Sequence, residues 1–320
     1  MKYLITGGAG FLGIKLVERL VKDNKNQIYI IDDLSKKSTN KIYLKILKNK
    51  KIKLIQKDLK DINKYLKIYN FDYIYHFAAI LGVRKVIDDP LNTLRENILT
   101  SINLINFCKK QKNLKKICFT STSEVYAYSL KNKMVKFPTP EEVDFLVSKD
   151  FNPRSSYSLS KIVGEHLMKY SKLNYIIFRP HNIFGPQMGF AHVIPQLTKK
   201  ILNYNNRELV INNSNHKRTF CDINYAIELI FNISHKKNTS KNIFNIGSPE
   251  KDISIIELAK LIKRILNSSA KLIVSNLQKD NSPEKRRPNM KKSLKYIKFK
   301  HSFEKSLRET VLWYRDYYSK

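Results

Sequence analysis

Short apolar runs alternate with amphipathic stretches through the first half of the chain. The runs at Lys2–Thr6, Gln27–Asp32, Ile52–Gln56, Tyr73–Phe77, Lys116–Ser121 and Tyr175–Arg179 read as strands. Helical spacing fits between them at 11–22, 92–111 and 156–171. That alternation is the pattern of βαβ units around a parallel sheet, an α/β fold. The pattern breaks near 180, where Pro180, Gly185, Pro186, Gly189 and Pro195 punctuate a loop-rich segment. A helix at 222–233 and a strand at Ile243–Ile246 then predict a return to the sheet. Beyond 249 the spacing predicts a helix at 254–266, a short strand at 271–275, a charged loop at 280–290 and a terminal helix at 302–318. The expected partition is a first domain of 1–180 plus 220–248, with 181–219 plus 249–320 as a smaller lobe over the sheet's C-terminal edge.

The first strand runs into Gly7-Gly8-Ala9-Gly10-Phe11-Leu12-Gly13, a glycine turn that opens the first helix. Gly7 permits a tight turn, Gly10 lets a pyrophosphate approach the backbone, and Gly13 lets the helix pack close to the sheet. Such a turn binds a dinucleotide at the helix N-terminus, in a doubly wound sheet of Rossmann type. Asp32 ends the second strand, where an acid accepts from the adenosine ribose hydroxyls and repels a 2′-phosphate. NAD is therefore favoured over NADP, with Asp33, Lys36 and Lys37 nearby to weaken the preference. Asp58 and Leu59 end the third strand, with Asp58 a candidate to meet the adenine amino group.

Far downstream, Tyr157 and Lys161 lie four apart and share one face of a helix. Oxidising a carbinol requires a base for its proton while hydride leaves. Lowering a tyrosine from its ordinary pKa by about three units takes roughly 4 kcal/mol. One ammonium about 4 Å away supplies approximately that at an effective dielectric near 20, and an oxidised nicotinamide adds a second charge. Glycine turn and Tyr–Lys pair together imply hydride chemistry with a phenol as acid/base.

Composition changes the picture at one point. The 320 residues are 42% apolar, with no run approaching a membrane span, and the opening strand predicts that no leader precedes it. Cys108, Cys118 and Cys221 are odd in number and widely spaced, which suits buried reduced thiols in the cytoplasm and neither disulfides nor a metal site. Sixty Lys+Arg against 27 Asp+Glu give a net charge of +33, densest at 45–53, 109–116 and 285–300. No aromatic–basic RNA motif or zinc finger accompanies it, so a generic basic surface is expected rather than specific nucleic-acid binding.

Five motifs in order then resemble the extended short-chain dehydrogenase/reductase family, in its nucleotide-sugar epimerases, dehydratases and decarboxylases. They are Thr6–Gly13; His76-Phe77-Ala78-Ala79 with Gly82 and Asn97; Thr120–Tyr126; Tyr157 with Lys161; and Arg179 to Pro186. The resemblance implies that Phe77, Ala78, Ala79 and Asn97 line the cofactor and that Thr122 meets the sugar 4-hydroxyl. Ser123 and Glu124 resemble positions of sugar-acid decarboxylases and some 4,6-dehydratases, where a carboxylate can remove the C5 proton of a 4-keto sugar. Asn182, Arg218 and Arg286 resemble substrate contacts, the arginines gripping the nucleotide diphosphate. His181 and His192 are expected to be loop residues.

The implied activity is an NAD-dependent nucleotide-sugar epimerase or dehydratase working through a 4-keto intermediate, in surface-polysaccharide biosynthesis, with a uronic-acid decarboxylase as the alternative. A catalytically silent dinucleotide-binding sensor, or a nucleic-acid-binding protein, is the rival from another class. The family's usual assembly is a homodimer through a four-helix bundle. Both helices carry apolar residues on more than one face, including Ile98, Ile102 and Ile105 on one and Leu159, Val163 and Leu167 on the other, so that one face can cover the sheet while the other meets a symmetry mate. Two departures stand out: Ala127-Tyr128 where the family often has Gly, and a long basic stretch at Lys131–Lys149.

Overall fold

The apolar runs become the strands of one sheet. The computed structural model describes residues 1–35, 48–67, 70–147, 149, 152–204, 208–275, 283–298 and 300–319. Seven strands, β1 (Lys2–Thr6), β2 (Gln27–Ile31), β3 (Ile52–Ile55), β4 (Tyr73–His76), β5 (Lys116–Thr120), β6 (Tyr175–Pro180) and β7 (Asn242–Ile246), line up in the order β7-β6-β5-β4-β1-β2-β3. The pairings from β3 across to β6 are parallel, in registers such as Leu4 opposite Tyr29 and Tyr75 opposite Cys118. The strand order reverses direction at β1, between β2 and β4. Ligands of open α/β sheets bind at such a switch point, beyond the strands' carboxyl ends.

Four long helices accompany the sheet: α1 (Phe11–Leu20), α2 (Pro90–Lys109), α3 (Ser155–Tyr170) and α4 (Ile223–His235). In α1 the stripe Ile14, Leu16, Val17 and Leu20 is buried, as an amphipathic helix on a sheet requires. Asp89 caps α2 by accepting from the Asn92 N–H, and Pro90 occupies the first turn, where its missing donor costs nothing. α2 and α3 pack against each other, and the core beneath them joins Leu4, Ile74, Phe107, Phe119, Met168 and Ile177. Gly164 brings α3 close to β5: a Cβ there would strike the Phe119 ring.

The chain forms two compact units: Met1–Val125, Phe145–Pro180 and Ile227–Phe244, and Tyr126–Asp144, His181–Ala226 and Asn245–Lys320. Residues 126–144, 220–226 and 245–248 group with the second unit, whereas the sequence pattern assigned them to the first. Hydrogen bonds explain the first of these shifts, because Thr139 N–H donates to the Arg287 carbonyl and Asn289 N–H to that of Thr139. Thr139, within the long basic stretch, is thus tied to residues 287 and 289.

Within the second unit, helices Val193–Leu202, Ile255–Ile265 and Phe303–Tyr318 pack together beside a three-stranded sheet. The helix Val193–Leu202 lies inside the segment expected to be loop. Pro195 sits in its first turn, where proline is tolerated, and Ile194, Leu197 and Ile201 are its buried face. Ser254 and Glu257 form a reciprocal capping box that starts Ile255–Ile265.

Candidate active site

After β1 the backbone turns through Gly7 at φ +66°, and a Cβ there would lie 2.6 Å from the Ala78 nitrogen. Only glycine fits both demands. The Gly7 N–H donates to the Ile31 carbonyl at 2.8 Å and the Gly10 N–H to the Gly7 carbonyl at 3.1 Å, which fixes the turn. A Cβ on Gly13 would collide with the Gly7 carbonyl oxygen, so the start of α1 rests directly on the turn. Asp32 braces it from β2: one carboxylate oxygen accepts from the Ala9 N–H at 3.0 Å and the other from the Leu34 N–H at 2.9 Å.

A cleft of about 410 Å³ opens at this end of the sheet. Gly7, Gly10, Asp32, Asp58, Leu59, Phe77, Ala78, Ala79 and Asn97 all line it. Phe11, Leu12 and Gly13 stand in the first turn of α1 and are not part of that lining. Lys36 and Lys37 lie outside the described residues. The cleft suits a dinucleotide on its own terms, having a backbone cradle that a side chain would fill and an acid at the end of β2. Asn97 does more than line it. Its Oδ1 accepts from Ile80 N–H at 2.7 Å, and its Nδ2 donates to the Ile80 carbonyl at 3.0 Å and to Ser160 Oγ at 3.1 Å. One carboxamide thus ties the cleft wall to α3, at the residue before Lys161.

The chemistry-bearing residues meet where β5 ends and α3 begins. Thr122, Ser123 and Lys161 are buried, and Tyr157 and Glu124 half-buried. The Thr122 hydroxyl accepts from the Glu124 N–H at 3.2 Å and is hydrogen-bonded to the Tyr157 phenol. Lys161 Nζ donates to the Thr120 carbonyl at 2.8 Å and lies 5.0 Å from the Phe119 ring centre and 6.0 Å from that of Tyr157. Burial pulls the Lys161 ammonium down to about 8, against the opposing pull of the Glu165 charge.

The Tyr157 phenol differs from expectation. Burial first, and the Glu124 charge second, push it above the usual tyrosine range, while the Thr122 hydrogen bond pulls the other way. An ammonium about 6 Å from the ring centre offers on the order of 3 kcal/mol, about two pKa units, against burial and the Glu124 charge. The proton-bearing form prevails unless further positive charge arrives.

Three charged residues at this site were given no role by the sequence reading. Arg154, just before α3, pairs with Glu124 at 3.7 Å. Glu165 and Arg179 form a buried two-point ion pair at 2.8 and 2.6 Å, and Ser121 Oγ donates to the same carboxylate at 2.6 Å. The signal for Glu165 was its spacing, four residues past Lys161 on one helix face. His76, beneath Lys161, is held neutral: burial and then the Lys161 charge bring it down to about 3.

In the second unit, Arg218 and Arg286 stand directly opposite each other on neighbouring parallel strands, both buried. Two arginine positions in register on neighbouring strands suit an anionic group. Arg218 donates to the Lys217 and Glu284 carbonyls, each at 2.8 Å. Asn182 holds a positive φ of 40° and donates to the Thr219 carbonyl at 3.0 Å. His181 Nε2 and the Tyr126 hydroxyl both reach Asn245 Oδ1, at 3.0 and 2.9 Å. The three cysteines are free and buried. Among the described residues, no group of three or more His, Cys, Asp or Glu side chains could hold a metal ion, and no helix is long and apolar enough to cross a membrane.

A family model described as the NAD dependent epimerase/dehydratase family matches residues 3–247. The chain is 31% identical over 328 residues to a UDP-N-acetyl-alpha-D-glucosaminuronate decarboxylase of Bacillus cytotoxicus, covering 98% of this chain and 97% of that one. It is 32% identical over 285 residues to the bifunctional polymyxin resistance protein ArnA of Wigglesworthia glossinidia brevipalpis. That match covers 84% of this chain and 42% of the larger protein. Among solved structures, the UDP-N-acetylglucosamine 4-epimerase of Methanobrevibacter ruminantium M1, in complex with UDP-N-acetylmuramic acid, superposes with a TM-score of 0.81. It is 28% identical, over 99% of this chain and 98% of that one. Matches that run through both the glycine turn and the tyrosine–lysine helix settle the kinship: the chain belongs to the NAD dependent epimerase/dehydratase family, with NAD as its cofactor.

Proposed function

We propose that the protein oxidises a nucleotide-sugar at C4, transforms the 4-keto sugar at the neighbouring C5, and then reduces it again, as an epimerase or dehydratase of surface-polysaccharide biosynthesis in the cytoplasm. The observation that carries this is the meeting of Thr122, Glu124, Tyr157 and Lys161 at one strand end, tied through Asn97 and Ser160 to the dinucleotide cleft. NAD, when bound, supplies the acceptor and later the donor of hydride, held by the glycine turn and Asp32.

The chain's own residues handle the protons. Thr122 orients the C4 hydroxyl, Tyr157 Oη accepts its proton as the carbonyl forms, and Lys161 steadies the phenolate. Glu124, its charge balanced by Arg154, takes the C5 proton, which a 4-keto group acidifies. Loss of the C6 hydroxyl as water then gives a 4-keto-5,6-ene, which would take the hydride back at C6 and a proton at C5, whereas return of the proton to the opposite face inverts C5 and the hydride would go back to C4. Arg218 and Arg286 are the proposed diphosphate grip, with Asn182 on the sugar or phosphate. Decarboxylation is the second reading, favoured by Thr122-Ser123-Glu124 and by the Bacillus relative, which aligns end to end.

Incubation with UDP-, dTDP-, GDP- and CDP-sugars in D2O separates these outcomes. Loss of water with deuterium at C5 or C6 marks a dehydratase, and loss of CO2 a decarboxylase. An isomer free of deuterium would remove Glu124 from the chemistry and leave plain 4-epimerisation. No turnover of any sugar, with NAD bound, would overturn the proposal.

The functional particle is proposed to be a homodimer through α2 and α3. Ile98, Ile102, Leu159 and Val163 are only half-buried, and Leu91 and Leu99 are 72% and 42% exposed on α2. A second copy would cover that apolar surface. Light scattering that finds a stable monomer at micromolar concentration would refute it.

A further inference from the structure

The ion pair of Glu165 and Arg179 is among the most deeply buried features of the first unit, each residue being 1% exposed. A buried pair is an expensive way to stabilise a fold, since apolar residues of equal volume often serve as well. Its position suggests another purpose. Glu165 follows Lys161 by four residues, on the same face of α3. Ser121, which donates to its carboxylate, immediately precedes Thr122, Ser123 and Glu124. Arg179, which grips both oxygens, comes from β6. One carboxylate therefore joins the helix of Tyr157 and Lys161, the end of the strand that presents Thr122, and the next strand. Gly164 permits this closeness, having no Cβ to strike Phe119.

Lys161 needs such a neighbour. Its ammonium is buried on the Phe119 ring with one carbonyl to receive a hydrogen bond. The titratable groups tied to it are Tyr157 and Glu165 from α3 and neutral His76 from β4, with Arg179 of β6 bound to Glu165. Glu165 is the only buried anion in that set.

We propose that Glu165 is a positioning residue for the reaction: clamped by Ser121 and Arg179, its carboxylate keeps Lys161 an ammonium and locks α3 to the end of β5. The proposal rests on the tyrosine–lysine chemistry given above. It predicts a charge effect with a definite sign, which a purely structural pair would not produce. Replacing the carboxylate lowers the pH at which Lys161 loses its proton, while removing Arg179 alone raises it.

The test uses NAD-loaded protein labelled with 13C-lysine, with the Lys161 signal assigned through Lys161→Met, and titrated by NMR. It needs no sugar, so it stands apart from the search for a substrate. In Glu165→Gln the Lys161 titration is expected to fall by about one pH unit or more, a tenfold change in its ionisation constant. The double variant Glu165→Gln/Arg179→Met removes both charges, an exchange that cores accept, and should fall by a smaller amount. Arg179→Met alone should move it upward. A folded double variant whose Lys161 titrates as in the wild-type protein would overturn the proposal. Failure of both Glu165 variants to fold would overturn it too, by assigning the pair to the fold alone.

Discussion

Tyr157 and its neighbours show how few atoms decide the chemistry. The phenol bonds Thr122, the Glu124 carboxylate opposes its ionisation, and Arg154 offsets Glu124. Tyr157→Phe keeps the packing and removes the proton carrier, so turnover of any accepted sugar should drop by about a hundredfold or more, with an unchanged melting temperature. Full activity in that variant would remove the phenol from the mechanism. Glu124→Gln loses the anion near Tyr157 but keeps its shape. Deuterium uptake at C5 from D2O should vanish from the product, while hydride exchange at C4, followed as NADH absorbance in a single turnover, persists. Asp32 works on the cofactor side, where its two backbone hydrogen bonds make it part of the turn as well as a charge. Asp32→Asn should weaken NAD binding and narrow its lead over NADP, a ratio that fluorescence titration with both dinucleotides reads directly.

At the scale of elements, close approach governs the site. α3 lies near enough to β5 for Lys161 to reach the Thr120 carbonyl only because position 164 has no side chain. Gly164→Ala would press a methyl into the buried Phe119 ring, a rigid group rather than a flexible chain end. A cost of about 1–3 kcal/mol is expected, read as a lower urea midpoint with unchanged slope. Phe119→Leu in the same background should return part of it by making room. Alanine at 164 with no loss of stability would show that helix and strand can part without penalty. The boundaries of these elements were legible to within two residues in the sequence, because apolar runs and the glycine turn mark them chemically; α2 was read as starting two residues late, at 92, past its Asp89 cap and Pro90. The helix Val193–Leu202 was not legible, since Pro195 reads as a breaker until its place in the first turn is known.

For the molecule as a whole, acid should be the sensitive direction. His76 is buried and neutral, its Nδ1 hydrogen-bonded to the Thr6 hydroxyl at 2.8 Å. Its folded value of about 3 lies below the unfolded 6.5, so between these values the unfolded chain binds the extra proton. The stability His76 contributes is present in full above about pH 6.5 and is lost as pH falls toward 3, at up to about 1.4 kcal/mol per unit. Urea unfolding between pH 4 and 7 should show that slope, and His76→Gln should flatten it. An identical slope in the variant would place the sensitivity elsewhere. The net charge of +33 adds self-repulsion in the same direction, and raising the salt concentration should relieve that part alone.

The sequence by itself determined the order of strands and helices, the glycine turn, the acid at the end of β2, the Tyr157–Lys161 pair and the family they signify. Each of these is local: a period of two or 3.6, a residue type that one backbone conformation demands, or a spacing of four. Only the tertiary structure decided the state of those groups. It buried the phenol beside Glu124 and so raised the proton affinity that Lys161 was expected to lower. It brought Ser121 and Arg179, from distant parts of the chain, onto the Glu165 carboxylate. It set Arg218 beside Arg286, 68 positions further along the chain. Burial and long-range electrostatics depend on what surrounds a group from every side, and the neighbours along the chain supply only a small part of that surrounding.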